Sequence, residues 1–231
     1  MINNRAQLHD SLLNYMSSHA YNLFGGHVHL IDPQIAPLRE LLNQELPSKQ
    51  RDTIWNLAIS QNKLYDELLR RFGNSIHNAL FIKKVGDFVL DINSIWHLIE
   101  VKTSTRASGI YHFNFDSFAA LRRLPREVRK YVHILFYNDV FKTYHLAPFN
   151  EIKFDPIYYH FPELSLERKN EVEEFLINHV PTVNVGQVDN DIERKTNVYL
   201  SIDIYSEENR KVVCPIEQYL DKLKLNAVIW S

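Results

Sequence analysis

Two carboxylates and an ammonium stand inside one apolar run, Gly86-Asp-Phe-Val-Leu-Asp-Ile-Asn-Ser-Ile-Trp-His-Leu-Ile-Glu-Val-Lys-Thr103. If Asn93 and Ser94 make a two-residue hairpin turn, for which Asn at the first position is suited, Ile92 faces Ile95, Leu90 faces His97, Phe88 faces Ile99 and Asp87 faces Glu100. Opposed residues of a hairpin project to the same side with Cβ atoms roughly 5 Å apart, and Lys102, two residues past Glu100, shares that side. Phe88, Leu90, Ile92, Ile99 and Val101 take the other side. Asp91 falls opposite Trp96, four residues from Asp87 and so roughly 13 Å away along the strand, which sets it apart from the cluster.

Two carboxylates at that separation repel one another, and partial burial adds to the cost. A divalent cation removes the conflict. Mg²⁺ takes one or two carboxylates and completes its octahedron with waters and substrate phosphate, and it lowers the pKa of a bound water while stabilising charge on a phosphate. Lys102 could orient or deprotonate that water, or stabilise the pentavalent phosphorus. The chemistry implied is phosphodiester hydrolysis with Asp87, Glu100 and Lys102 as catalytic residues and Asp87 and Glu100 as metal ligands.

The elements that must position these groups are predicted from periodicity. Residues 1–73 read as helical. Leu8, Leu12, Leu13, Tyr15, Met16, Leu23 and Phe24 recur near helical spacing up to Gly25-Gly26, a short helix follows Pro37, and a longer one runs from about Gln50 to Phe72 and closes at Gly73. Three strands follow at Ala79–Val85, Asp87–Ile92 and Ile95–Thr103. A loop over 104–109, a helix over Asp116–Leu124, and strands at Tyr131–Tyr137 and Phe141–Leu146 complete the central part. After Pro148 the expectations are a helix over Leu166–His179, a polar loop over 181–196, a strand over Asn197–Tyr205 and a helix over Pro215–Leu225. The fold class is α/β (α+β): one central mixed sheet flanked by helices, with a helical N-terminal region and a C-terminal extension.

Asp87, twelve intervening residues, then Glu100-Val101-Lys102 resembles the PD-(D/E)-x-K nuclease superfamily, and most of all its type II restriction endonucleases. The likeness covers roughly residues 50–146, where the expected element order matches the superfamily's αβββαβ core. Gly86 stands where the pattern usually has proline. The resemblance implies a Mg²⁺-dependent endonuclease (Mn²⁺ substituting) that cuts double-stranded DNA at a specific sequence. Resolvases, repair nucleases and RNA-cutting viral endonucleases share the core, and so do nuclease-fold modules that have lost catalysis. Many members add a carboxylate from the preceding helix. Glu67 or its neighbour Asp66 is the candidate here, and the choice between them, or neither, stays open.

Glu-x-Lys by itself is weak, because the chain holds it four times: Glu100/Lys102, Glu151/Lys153, Glu167/Lys169 and Glu193/Lys195. The first alone ends an apolar strand opposite an acid. Arg122, Arg123, Arg126, Arg129 and Lys130 fall within nine residues with one acid, Glu127, and either contact phosphates or form a solvated helix face. Thr103-Ser104-Thr105-Arg106 could bind a phosphate backbone or merely turn the chain, and Tyr111, His112 and Phe113 could touch bases but suit a core better. His27-Val28-His29 has the spacing of amidohydrolase metal sites, but the chain lacks the length for that barrel.

The 231 residues, 45% hydrophobic and 23% charged, predict a single domain (1–49 a helical extension, 50–146 the catalytic core, 147–231 a C-terminal extension for recognition or dimerisation). A formal net charge of −2 demands a local basic surface for any nucleic-acid contact. The single cysteine, Cys214, excludes an internal disulfide. With no signal-like N-terminus and no long apolar run, the expectation is a cytoplasmic protein without membrane contact. A palindromic recognition site would call for a two-fold homodimer.

Overall fold

A computed structural model of the chain describes residues 4–42, 44, 47–77, 79–80, 85–155 and 199–228. The expected helix over Leu166–His179, the loop over 181–196 and two of the four Glu-x-Lys pairs lie outside these residues. Helix α1 (Asn4–Ser18) and the short α2 (Ala20–Phe24) follow the leucine spacing. Gly25, at φ 65°, ends α2 with its N–H on Tyr21 O, 2.8 Å away.

The chain then departs from the helical expectation. His27–Leu30 is a strand, β1, followed by α3 (Asp32–Leu42), which begins ahead of Pro37 and contains it. The long helix expected from Gln50 to Phe72 is two, α4 (Ser48–Gln61) and α5 (Lys63–Phe72). Asn62 breaks it: its backbone is extended, at φ −94° and ψ 93°, and its side chain accepts from Tyr65 N to cap α5. Gly73 closes α5 as expected, its N–H on Leu69 O.

The hairpin comes next, β2 (Phe88–Ile92) and β3 (Ile95–Ser104). Asn93 and Ser94 both have positive φ, 51° and 65°, which is the mirror-image turn that matches strand twist. The register is the expected one, with Phe88 opposite Ile99, Leu90 opposite His97 and Ile92 opposite Ile95. Beyond it lie β4 (Ile110–Asn114), α6 (Phe115–Arg122), α7 (Arg126–Arg129), β5 (Val132–Asn138) and β6 (Thr143–Pro148). Strand β7 (Tyr199–Asp203), the two-residue β8 (Cys214–Pro215) and α8 (Ile216–Val228) end the chain.

Among the described residues the strands form a six-stranded mixed sheet in the order β1-β2-β3-β5-β6-β8, and β4 pairs with β7 in a separate two-stranded sheet. Only β3 and β5 run parallel; the other neighbours are antiparallel. The central mixed sheet is as expected, but its expected first strand over Ala79–Val85, of which 81–84 lie outside the described residues, is corrected on two counts. Ala79 and Leu80 are helical and buried, and the free edge of β2 is taken by β1, far earlier in the chain. Close approach makes that pairing possible, since a Cβ at Gly26 would sit 2.2 Å from Asp91 O.

Two apolar clusters cover the two faces of the sheet. One joins Val89 and Leu98 to Leu68 and Phe72 of α5 and to Phe113 and Phe118. The other joins Phe88, Leu90 and Val101 to Leu12 and Met16 of α1 and to Leu220 of α8. Each fully buried side chain of this kind contributes about 1.5–3 kcal/mol, so the hairpin between the clusters is held from both sides. No helix among the described residues is long and apolar enough to cross a membrane.

Candidate active site

Asp87 precedes β2 by one residue, at the end of the hairpin remote from its turn. Its backbone is pinned twice, with its N–H on Ile99 O at 2.8 Å and its carbonyl accepting from Ile31 N at 3.0 Å. Its carboxylate crosses to β3, where Oδ2 accepts from Val101 N at 2.6 Å. Glu100 returns the gesture: Oε2 accepts from Gly86 N at 2.7 Å. Each acid is therefore fastened to a backbone N–H of the opposite strand, and charge-assisted bonds of this type are roughly twice as strong as neutral ones.

This fastening accounts for the glycine at position 86. Proline has no N–H to give Glu100. Gly86 also sits at φ 91°, with a Cβ there falling 2.6 Å from Leu98 Cδ1.

The remaining oxygens face cations. Glu100 Oε1 accepts from Lys102 Nζ, and Asp87 Oδ1 lies 3.3 Å from His9 Nε2. Lys102 is held a second time by the ring of Phe113, whose centroid is 4.6 Å from Nζ. Glu100 is buried at 6% exposure. Burial, and the charge of Asp87 behind it, push its carboxyl above the ordinary range despite the opposing pull of Lys102. His9 is displaced upwards too, chiefly by its hydrogen bond to Asp87.

Asp87, Glu100 and Lys102 are thus brought together as the hairpin register predicts. Glu67 is elsewhere. Arg70 and Arg71 hold its carboxyl down at about 2, and Arg71 donates to Ser94 O at 2.7 Å, which ties this part of α5 to the turn end of the hairpin. Asp87 and Ser94 are seven residues apart, roughly 23 Å of strand. Asp66 goes with that group through Arg70. Asp91 pairs across from Trp96 and from His27, clear of the site.

His9 is the site residue that sequence reasoning passed over. It precedes Leu12, Leu13 and Met16 by three, four and seven positions, so it lies on the apolar face of α1, next to Leu8. A polar group at that place is the available signal. The other histidine pair, His27-x-His29, is on the edge strand β1, with His29 stacked on Trp96 at 5.4 Å. Tyr111 and Phe113 are core residues. Thr103 and Ser104 finish β3, and Ser104 Oγ accepts from Arg106 N to turn the chain.

Among the described residues no trio of His, Cys, Asp or Glu is gathered tightly enough to hold a metal unaided. The donor set is a pair of carboxylates, which suits a hard cation that keeps waters and shares substrate oxygens. A carboxyl that burial holds above its ordinary range, beside a second acid, is also one that a divalent cation would relax.

No protein-family model matches the chain, and no curated protein does. Among solved structures the chain is similar to a nuclease from a fusselovirus, at 13% identity and a TM-score of 0.36, over 99% of this chain and 95% of that one.

Proposed function

We propose that the chain is a Mg²⁺-dependent endonuclease that hydrolyses phosphodiester bonds in double-stranded DNA, in the manner of a restriction enzyme. The observation that supports it most is the reciprocal fastening of Asp87 and Glu100, which commits one oxygen of each to the backbone and turns the other two, Asp87 Oδ1 and Glu100 Oε1, towards positive charge, where His9 and Lys102 now face them and a metal ion would take their place.

These two residues would hold Mg²⁺, with Mn²⁺ as a substitute. When bound, the ion supplies positive charge at the phosphate and acidifies a water. Lys102 is held between a carboxylate and an aromatic face, so little entropy is lost when its ammonium meets a phosphate oxygen or the attacking water. His9 steadies Asp87 from the side of α1. The buried setting of Glu100 strengthens each of these interactions by excluding water.

Plasmid cleavage in Mg²⁺ is the test. Asp87→Ala and Lys102→Ala should each slow it by about 10²-fold or more, and undiminished cutting by either variant ends the proposal. A nuclease-fold module without activity would keep the same fastening, and calorimetry separates the two: it would show no Mg²⁺ or Mn²⁺ uptake that depends on Asp87 and Glu100.

A further inference from the structure

The loop and short helix after α6 carry an arrangement that the active site does not use. Leu121, Leu124 and Val128 anchor this segment in the core, so the residues between them point outward: Arg123, Arg126 and Lys130 are exposed, and Arg122 and Arg129 are half-buried. Among the described residues none of these five is paired with a carboxylate. Arg129 Nε is enclosed by protein and has no hydrogen-bond partner. Burial, and behind it the charges of Arg122 and Arg126, lower the affinity of Arg129 for its proton, with Glu127 alone opposing. Arg122 and Arg126 each repel Arg129, and none of the three is balanced by a paired carboxylate among the described residues, an arrangement that an anion would relieve.

We propose that Arg122, Arg126 and Arg129 form a second anion site that contacts successive phosphates of the nucleic-acid backbone, with Arg123 and Lys130 flanking it. The site is separate from the cleavage centre. Tyr131 O accepts from Leu98 N, and Lys102 lies four residues further along β3, roughly 13 Å away at strand spacing. Five cations spread over two successive helices fit an extended polyanion rather than a single free phosphate. A lipid surface is disfavoured because the apolar side chains of the segment are buried, leaving none to enter a bilayer. The inference rests on the nucleic-acid reading above but not on catalysis.

The test measures binding by fluorescence anisotropy in EDTA, where nothing is cut, with a labelled duplex and vesicles of anionic phospholipid as probes. For the full-length Arg122→Ala/Arg126→Ala variant, duplex affinity should fall about tenfold near 100 mM salt, and the slope of log affinity on log salt should flatten by about two, one for each lost phosphate contact. Arg126→Glu, a single exposed change, should weaken binding as much and guards against a folding defect in the pair. Unaltered affinity and slope in both variants, or tighter binding of the wild type to vesicles than to duplex, overturns the proposal. A wild type that binds in this way but cuts nothing in Mg²⁺ would remove the catalytic reading and leave this one standing. Cutting that survives alongside unaffected binding would do the reverse.

Discussion

At the scale of the residue, Gly86 carries two requirements that no other side chain meets together. Its φ of 91° is a backbone that L side chains rarely adopt, and its N–H holds Glu100. Gly86→Ala keeps the N–H but meets the left-handed penalty of about 1–2 kcal/mol, and the crowding against Leu98 Cδ1 can be relieved by a flexible side chain. Urea denaturation should show that loss with cleavage partly retained. Gly86→Pro removes the donor and forces φ to the opposite sign, so it should lose both stability and activity; a proline variant that cuts normally would sink the role given to this N–H. The sequence shows the absence of proline here, but the reason requires the positive φ, which depends on where β1 and β3 clamp the chain. His9 was illegible for a related cause: its partner is seventy-eight residues away, and nothing local to α1 points to Asp87. If it positions Asp87, His9→Ala should slow cleavage by about tenfold, and His9→Gln, which keeps a side-chain donor, should recover part of it, with circular dichroism unchanged in both. Equal rates for the two would mean that the hydrogen bond is not what matters.

At the scale of the element, the hairpin was legible because a two-residue turn fixes its register and the alternation of five apolar residues fixes its faces. Strand β1 was not, since four residues give too little alternation to outweigh the leucines on either side, and it is a strand because β2 offers an open edge. Between β3, β5 and α8 lies a buried polar chain whose members are too far apart in sequence to show a pattern. His97 Nδ1 is 3.0 Å from His133 Nε2, and His133 Nδ1 is 3.0 Å from Tyr219 Oη. Burial lowers His97 to about 4, against a weaker upward pull from Asp91, and burial followed by the charge of His97 lowers His133 well below its ordinary value. Above pH 6.5 both rings are neutral folded or unfolded and contribute nothing to pH dependence. Below it the unfolded chain takes up protons that the native pair refuses, so stability falls with pH down to about 4. At about 1.4 kcal/mol per unit, the pair should cost about 2–4 kcal/mol at pH 5 relative to pH 7.5. His9 and Glu100, displaced upwards, act in the opposite direction, so the comparison must be made against His97→Gln/His133→Gln. Urea midpoints for that variant should change less on acidification than those of the wild type; parallel changes would refute the account.

At the scale of the whole molecule, a net charge of −2 gives no long-range field to draw in a polyanion, so under the proposed function encounter would depend on local cations and specificity on shape and base contacts. The sheet takes strands from residues 27–30 and 214–215, and α1 reaches the site through His9, so both ends of the chain build the body that carries the hairpin. The composition said that such a body could form, but not that the first helix would supply a group to the centre. A single copy has one Asp87–Glu100–Lys102 cluster, and under the proposed function it would break one strand at a time. Breaking both strands at a symmetric sequence in one encounter requires a second cluster related by two-fold rotation, which a homodimer supplies. Light scattering of the wild type with a specific duplex should therefore give two copies per duplex. Supercoiled plasmid should pass to linear form with little nicked intermediate, and the proportion of nicked product should rise as enzyme is diluted below the dimerisation range. Mixing wild type with Lys102→Ala should give nicked circles in excess, because a mixed dimer has one working centre. If instead the mixture gives only uncut and linear plasmid at every ratio, the two strands are cut by successive visits of one copy, and the symmetric assembly is not part of the mechanism.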